Sequence, residues 1–188
     1  MNPEIIKIKD EAGVEKYGSG FTKVYKAAFA GPPYFESFDD KEVMEILREL
    51  VFNKGGACFV MNLGGEVIGL SGGYALSNDS EIAGIFTEKF PNVDPGDIFY
   101  FAELAVLEDY RFRGYGSSLV EARINHMNGS FKAGLQRTQA KGSNSLNLYI
   151  KRGFEQVQGM IQHVETHIGE GDERQKVRQE RIFTIKFA

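Results

Sequence analysis

Ile98-Phe99-Tyr100-Phe101-Ala102-Glu103-Leu104-Ala105-Val106-Leu107, followed shortly by Arg111-Phe112-Arg113-Gly114-Tyr115-Gly116-Ser117, decides the fold. The first stretch is an apolar run broken by a single carboxylate, Glu103, and predicts a central strand buried on both faces. The second is a glycine turn that opens a helix from Ser117 to Met127, with Leu119, Val120, Ile124 and Met127 on its buried face. Strand, glycine turn and helix together make an anion site. The first N–H groups of a helix have no internal partner, and the helix dipole is positive at that end. Gly114 and Gly116 let the backbone approach phosphate oxygens, and Arg111 and Arg113 add positive charge. A Walker loop would require Gly-Lys-Ser/Thr, and a dinucleotide fingerprint would require a glycine where Leu119 stands. The plainer alternative is a turn that only caps a helix; the arginines and the preceding strand favour a phosphate or pyrophosphate cradle.

Outward from this unit the pattern alternates between helix and strand periods. Ile5, Ile6 and Ile8 predict a first strand, and Phe21, Val24, Tyr25, Ala28 and Phe29 fall at helical spacing until Pro32-Pro33 ends the run. Asp39, with Glu42 in capping-box position, opens a second helix that buries Val43, Ile46, Leu47, Leu50 and Val51 and stops at Gly55-Gly56. Ala57 to Asn62 and Val67 to Leu76 predict strands joined at Gly64-Gly65, with a bulge or close approach in the glycine-rich stretch Gly69 to Gly73. Ser77 to Gly96 predicts an excursion carrying a short helix from Glu81 to Phe90. Leu135 to Ala140 predicts a short strand, and Ser145 to Lys151 a short helix with Gly153 at its C-cap. Phe154 begins another strand, Gly169 to Gln179 predicts a charged hairpin loop, and Ile182 to Phe187 a last strand.

Composition narrows the function classes. The chain has 188 residues, a length that predicts one domain over residues 1–188. Hydrophobic residues make up 42% of it, which suffices for an ordinary core. A net charge of −4 gives no global basic field, so no nucleic-acid partner is expected. No apolar run approaches the ~20 residues that span a bilayer, and no leader pattern opens the chain, so the expectation is a cytoplasmic protein without a membrane partner. The single cysteine, Cys58, lies in the apolar run Ala57-Cys58-Phe59-Val60 and reads as a small core side chain.

Glu103-Leu104-Ala105-Val106 followed by Arg111-x-x-Gly114-x-Gly116 resembles the acetyl-CoA motif of the GNAT N-acetyltransferase superfamily. Ser145-Leu146-Asn147-Leu148-Tyr149-Ile150-Lys151-Arg152-Gly153-Phe154 resembles the family's second motif, Leu-Tyr-x-Lys-x-Gly-Phe. The order and spacing of the two motifs, and the element order over nearly the whole chain, also look like the family. The likeness is weakest over Ser77 to Gly96 and Gly169 to Gln179. One departure is Gly142, where many members carry an asparagine; Asn144 stands in part for it.

The resemblance implies an α+β (α/β) fold: a mixed, mostly antiparallel sheet of about seven strands, flanked by about four helices, with splayed central strands. It implies acetyl-CoA as co-substrate and no metal. The backbone of Leu104, Ala105 and Val106 would hold the pantetheine arm. The segment Arg111, Phe112, Arg113, Gly114, Tyr115, Gly116 and Ser117 would hold the pyrophosphate, with Asn144 as a further contact. An amine would attack the thioester directly. Tyr149 matches the family tyrosine beside the sulfur and is the candidate acid; without the motif it would read as a core tyrosine. Glu103 is a carboxylate in an apolar strand, where a charge is costly unless paired or functional. It reads equally as the base or as a salt-bridged or edge-facing glutamate.

The acceptor is expected between the first two helices and the splayed strands. Tyr34, Phe35 and Glu36, with Phe29 and Phe38 beside them, suit a cationic amine as an aromatic cage with a carboxylate, or simply pack the turn at Pro32-Pro33. His163, Glu165 and His167 alternate as an exposed strand face would, and His126 is expected to be solvated. The partners implied are a small-molecule or peptide amine and a second copy of the chain through the C-terminal strands. A non-catalytic acyl-CoA sensor or partner-binding module of the same fold is the alternative function.

Overall fold

The computed structural model describes residues 2–31, 34, 36–140, 144–168 and 175–188. Its elements, in chain order, are β1 (Glu4–Ile8), α1 (Glu11–Ala30), α2 (Asp40–Phe52), β2 (Ala57–Leu63), β3 (Glu66–Ala75), α3 (Ser80–Lys89), β4 (Ile98–Val106), α4 (Tyr115–Asn128), β5 (Ala133–Gln139), α5 (Asn144–Ile150), β6 (Glu155–Ile168) and β7 (Gln175–Phe187). Seven strands form one sheet in the order β1-β2-β3-β4-β5-β7-β6. Every neighbouring pair is antiparallel except β4 and β5, which run parallel.

Alternation along β4 sends side chains to two covered faces, which is why its sequence is almost continuously apolar. On one face α1 and α2 bury Phe21, Val24, Val43, Leu47 and Leu50 against Val60, Leu70 and Ala105. Farther along that face, α3 sets Ile82 and Phe86 with Tyr100, Leu135 and Phe183. On the other face α4 buries Leu119, Val120, Ile124 and Met127 against Ile68, Phe99 and Phe101, with Tyr149 and Phe154 in the same cluster.

The main differences from the sequence reading have local causes. α1 starts at Glu11, capped by the Asp10 side chain, well ahead of Phe21. Gly13, Gly18 and Gly20 disguise that first half as a poor helix. Packing demands glycine at 20, against the stiff Val67 side chain, whereas Gly18 only lies close to the flexible end of Met44. A Cβ on Gly18 would stand 2.9 Å from the Met44 sulfur of α2, and one on Gly20 would stand 2.6 Å from Val67 of β3. At the other end of the chain, Gln175–Gln179 are strand, not loop, and pair with Val164–Ile168 in a β6–β7 ribbon. Charged and polar alternation on a two-stranded ribbon lacks the apolar period by which strands are recognised. The expected capping box at Asp39 and Glu42 is present. So is the irregularity expected between Gly69 and Gly73, as a register shift between Gly72 and Tyr74.

That shift has a consequence for the site. Tyr100 pairs with Tyr74 and Glu103 with Gly72, so β4 advances three residues while β3 advances two. The extra residue reverses the alternation, so Glu103 emerges on the same face as Tyr100, toward α1. The parallel β4–β5 ladder begins at Ile98 and Ala133 and stops at Phe101 and Gln136, although both strands continue. Beyond that point the sheet is open.

Candidate active site

The opening between β4 and β5 holds a cavity of about 250 Å³. Its β4 wall runs from Tyr100 to Leu104 and its β5 wall from Gln136 to Gln139, with Tyr25, Phe29, Tyr34 and Glu36 on the α1 side. Tyr149 and Ser145 of α5 line it too, and Arg181 of β7 completes it. Since the ladder has ended, backbone groups on this edge of β4 have no strand partner. The Leu107 N–H donates to the Ile68 carbonyl, toward β3, so alternation turns the backbone groups of Leu104 and Val106 to the open side.

Glu103 is partly buried and lines the cavity. Desolvation pushes its pKa up to about 7 against the opposing pull of Arg137 and Arg123, while the Tyr25 hydroxyl lies within hydrogen-bonding range of it. A carboxyl with that pKa exchanges a proton near neutrality. Glu36 is also raised by desolvation, with Arg181 and Arg137 pulling it down.

Tyr149 is buried beside Phe101 and Phe154, with ring centroids 5.7 and 5.0 Å from theirs. Burial raises its pKa, and the Arg123 guanidinium opposes the rise. Arg123 is fully buried. It donates to the Tyr149 hydroxyl oxygen at 2.6 Å, to the Glu103 carbonyl at 2.9 Å and to the Gly72 carbonyl at 3.2 Å. Its plane also lies over the Phe101 ring at 4.9 Å. By accepting from Arg123, the Tyr149 oxygen is fixed in place and its own O–H is left to be donated elsewhere.

After the end of β4, Gly114 caps α4 with φ +85°, a left-handed conformation that favours glycine. Gly116 has no such need, and a Cβ there would meet only Leu148 at 4.0 Å. Neither backbone angle nor packing asks for glycine at 116, and the space beside it is open. The Ser118 N–H bonds back to the Gly114 carbonyl, which leaves the amides of Tyr115, Gly116 and Ser117 ahead of the helix ladder. Arg111 donates to the Val106 carbonyl at 3.0 Å and Arg113 to the Asp109 carbonyl at 2.9 Å, which ties both arginines to the turn. Phe112, with φ 62°, is 94% exposed on the same turn.

The structure thus brings Glu103, Tyr149, Tyr34 and Glu36 to one cavity, and the glycine turn lies beyond the end of β4, outside the cavity lining. Phe38 packs behind it on Tyr25 and Phe29. Phe35 lies outside the described residues; Asn144 begins α5, and its side chain is likewise outside them. His126 differs from the expectation: it is partly buried against Phe99 and Phe131, and its ring nitrogens lie 3.4 Å from Lys7 and from the Gly55 carbonyl. Among the described residues no cluster of metal-ligating side chains forms, and no helix is long and apolar enough to cross a membrane.

Sequence reading missed Tyr25, Arg123, Arg137 and Arg181. Arg123 carried a usable signal, an arginine one turn from Leu119 on an otherwise apolar helix face. Arg137 and Arg181 carried none, because only the β5–β7 pairing sets them on one face.

The sheet opens at its parallel β4–β5 pair, and an amide-lined glycine turn follows the open strand, an arrangement suited to an extended, phosphate-bearing ligand. Residues 23–154 match the model of the acetyltransferase (GNAT) family, and the chain belongs to that family. The fold is similar to that of an N-acetyltransferase from Staphylococcus aureus Mu50 (12% identity, covering 100% of this chain and 99% of that one, TM-score 0.68). It is also similar to yncA from Salmonella typhimurium, solved with its cofactor acetyl-CoA (13% identity, covering 100% and 94%, TM-score 0.67). A third similar structure is the ribosomal-protein-alanine N-acetyltransferase from Brucella melitensis (14% identity, covering 97% and 99%, TM-score 0.65). No curated protein sequence matches the chain. The family uses acetyl-CoA, and the clear space before Gly116 with the free amides around it fits a pyrophosphate.

Proposed function

We propose that the chain, as one domain over residues 1–188, is an N-acetyltransferase that moves the acetyl group of acetyl-CoA to an amine by direct attack. The observation that carries this reading is the convergence of a neutral-pKa carboxyl, Glu103, and a buried phenol, Tyr149, on one cavity where the sheet opens. Bound acetyl-CoA supplies the acetyl group as a thioester. The amides at the start of α4, with Arg111 and Arg113 nearby, would hold its phosphates, and the open edge of β4 at Leu104 and Val106 would hold its arm and offer N–H groups to the thioester carbonyl.

An alkyl ammonium, pKa about 10, must lose a proton before it can attack. Glu103 accepts it, directly or through a water, and Tyr25 holds the carboxyl in place. Tyr149 gives its proton to the departing sulfur, and Arg123 stabilises the charge left on its oxygen. The aromatic wall of Tyr25, Phe29 and Tyr34 faces the acceptor. The test is release of free coenzyme A thiol from acetyl-CoA with a panel of amines. Release that depends on an amine supports the reading; acetyl-CoA binding without amine-dependent release favours the acyl-CoA sensor.

A further inference from the structure

The acceptor end of the cavity carries an arrangement that a plain amine does not use. Two guanidinium groups, Arg137 and Arg181, line the same space as the two carboxyls Glu36 and Glu103. Gln139 faces Arg181 and Phe183 faces Arg137 across the β5–β7 ladder, so the two arginines are diagonal neighbours on one face. Arg137 is held by Gln162, whose carbonyl oxygen accepts from it at 2.7 Å.

Arg181 is only 8% exposed, and its Nη1 makes no hydrogen bond among the described residues. Among those residues, no ion pair joins either arginine to any carboxylate, nor Glu36 or Glu103 to any cation. Buried polar groups are ordinarily satisfied, and like charges set side by side in a desolvated place repel. Two guanidinium groups and two carboxyls therefore share one small cavity with no direct ion pair among the described residues, and the buried Nη1 of Arg181 has no hydrogen-bond partner among them.

We infer that the acceptor is a small amine that also carries a carboxylate, of the amino-acid class. The carboxylate is taken by Arg181 and Arg137, and the amine is directed to Glu103. This rests on the reading of the cavity as the acceptor site. A guanidinium fork matches a carboxylate in two parallel hydrogen bonds, and both arginines line the cavity. A cavity of about 250 Å³ holds a molecule of that size and not a folded surface.

The test compares matched acceptors: the standard L-amino acids, their α-carboxamides and the corresponding decarboxylated amines. Each is measured by thiol release and, separately, by calorimetric binding to the protein loaded with coenzyme A. The expected result is that one or more amino acids surpass their own amides and amines by about tenfold to a hundredfold in kcat/KM and in affinity, because the uncharged analogues leave the guanidinium unpaired. Arg181→Gln is expected to reduce that preference below about threefold with acetyl-CoA affinity unchanged; Arg181→Lys, which keeps the charge, retains part of it.

Turnover of amines without any preference for the carboxylate overturns the inference and leaves the acetyltransferase reading standing. Carboxylate-selective binding without turnover overturns the acetyltransferase reading and leaves the ligand class standing. A preference that survives Arg181→Gln intact removes Arg181 from the site and overturns the inference as stated.

Discussion

Tyr149 and Glu103 carry the proton transfers in this account, and each makes its own prediction. Tyr149→Phe keeps the ring packing against Phe101 and Phe154 and removes only the hydroxyl. It is expected to lower kcat by about a hundredfold, within the usual range for a general acid, while acetyl-CoA affinity changes little. Equal losses in both would make the hydroxyl a binding group. For Glu103, the folded pKa of about 7 lies above the ordinary 4.5. Activity that needs the carboxylate therefore rises with pH through about 7, and Glu103→Gln is expected to remove that limb. Stability runs the other way. A raised carboxyl binds its proton more tightly in the folded state, so its contribution is full below about 4.5 and lost as pH rises through about 7. Glu103→Gln is therefore expected to raise Tm relative to the parent above pH 7 and to leave it nearly unchanged near pH 4; equal shifts at both pH values would contradict the burial of this carboxyl. Of these residues, the sequence made Tyr149 and Glu103 visible through their motifs. Arg123 announced itself as an arginine on an apolar helix face, but its partners did not, because its bonds to Tyr149 and to two carbonyls of the sheet appear only in three dimensions.

At the scale of elements, the β4–turn–α4 unit was legible because each part has a one-dimensional signature: an apolar run, a glycine pair and a helical stripe. The pairing that opens the sheet was not. That β4 meets β5 in parallel for only four residue pairs follows from how α4 returns the chain, and no local pattern records it. The β3–β4 irregularity was half legible, since the glycines announced it without showing that it would turn Glu103 toward α1. Gly114 tests the turn directly. Its φ of +85° strains any side chain, and nothing lies within 4 Å of where a Cβ would stand. Gly114→Glu is therefore expected to add strain and a negative charge at the phosphate cradle, and to weaken acetyl-CoA binding by about tenfold or more in a calorimetric titration. Unchanged affinity would move the cradle elsewhere.

For the whole molecule, the sheet acts as a partition with one gap. α1, α2 and α3 cover the acceptor side, α4 covers the side of Tyr149, and the β4–β5 opening joins them. Family and fold could be anticipated because both motifs sit on the strands and helices that frame the gap. The charged chemistry of the cavity could not, because its charged groups come from the segment between α1 and α2, from β4, β5 and β7, and meet only once the sheet is assembled. The measurement that tests the central claim most directly is a coupled one: free thiol and acetylated amine, counted together, from acetyl-CoA and an amino-acid acceptor at pH 8. The account predicts equal amounts of both, dependent on the acceptor and strongly reduced in Tyr149→Phe. Acetyl-CoA that binds tightly yet releases no more thiol with any amine than without would contradict it.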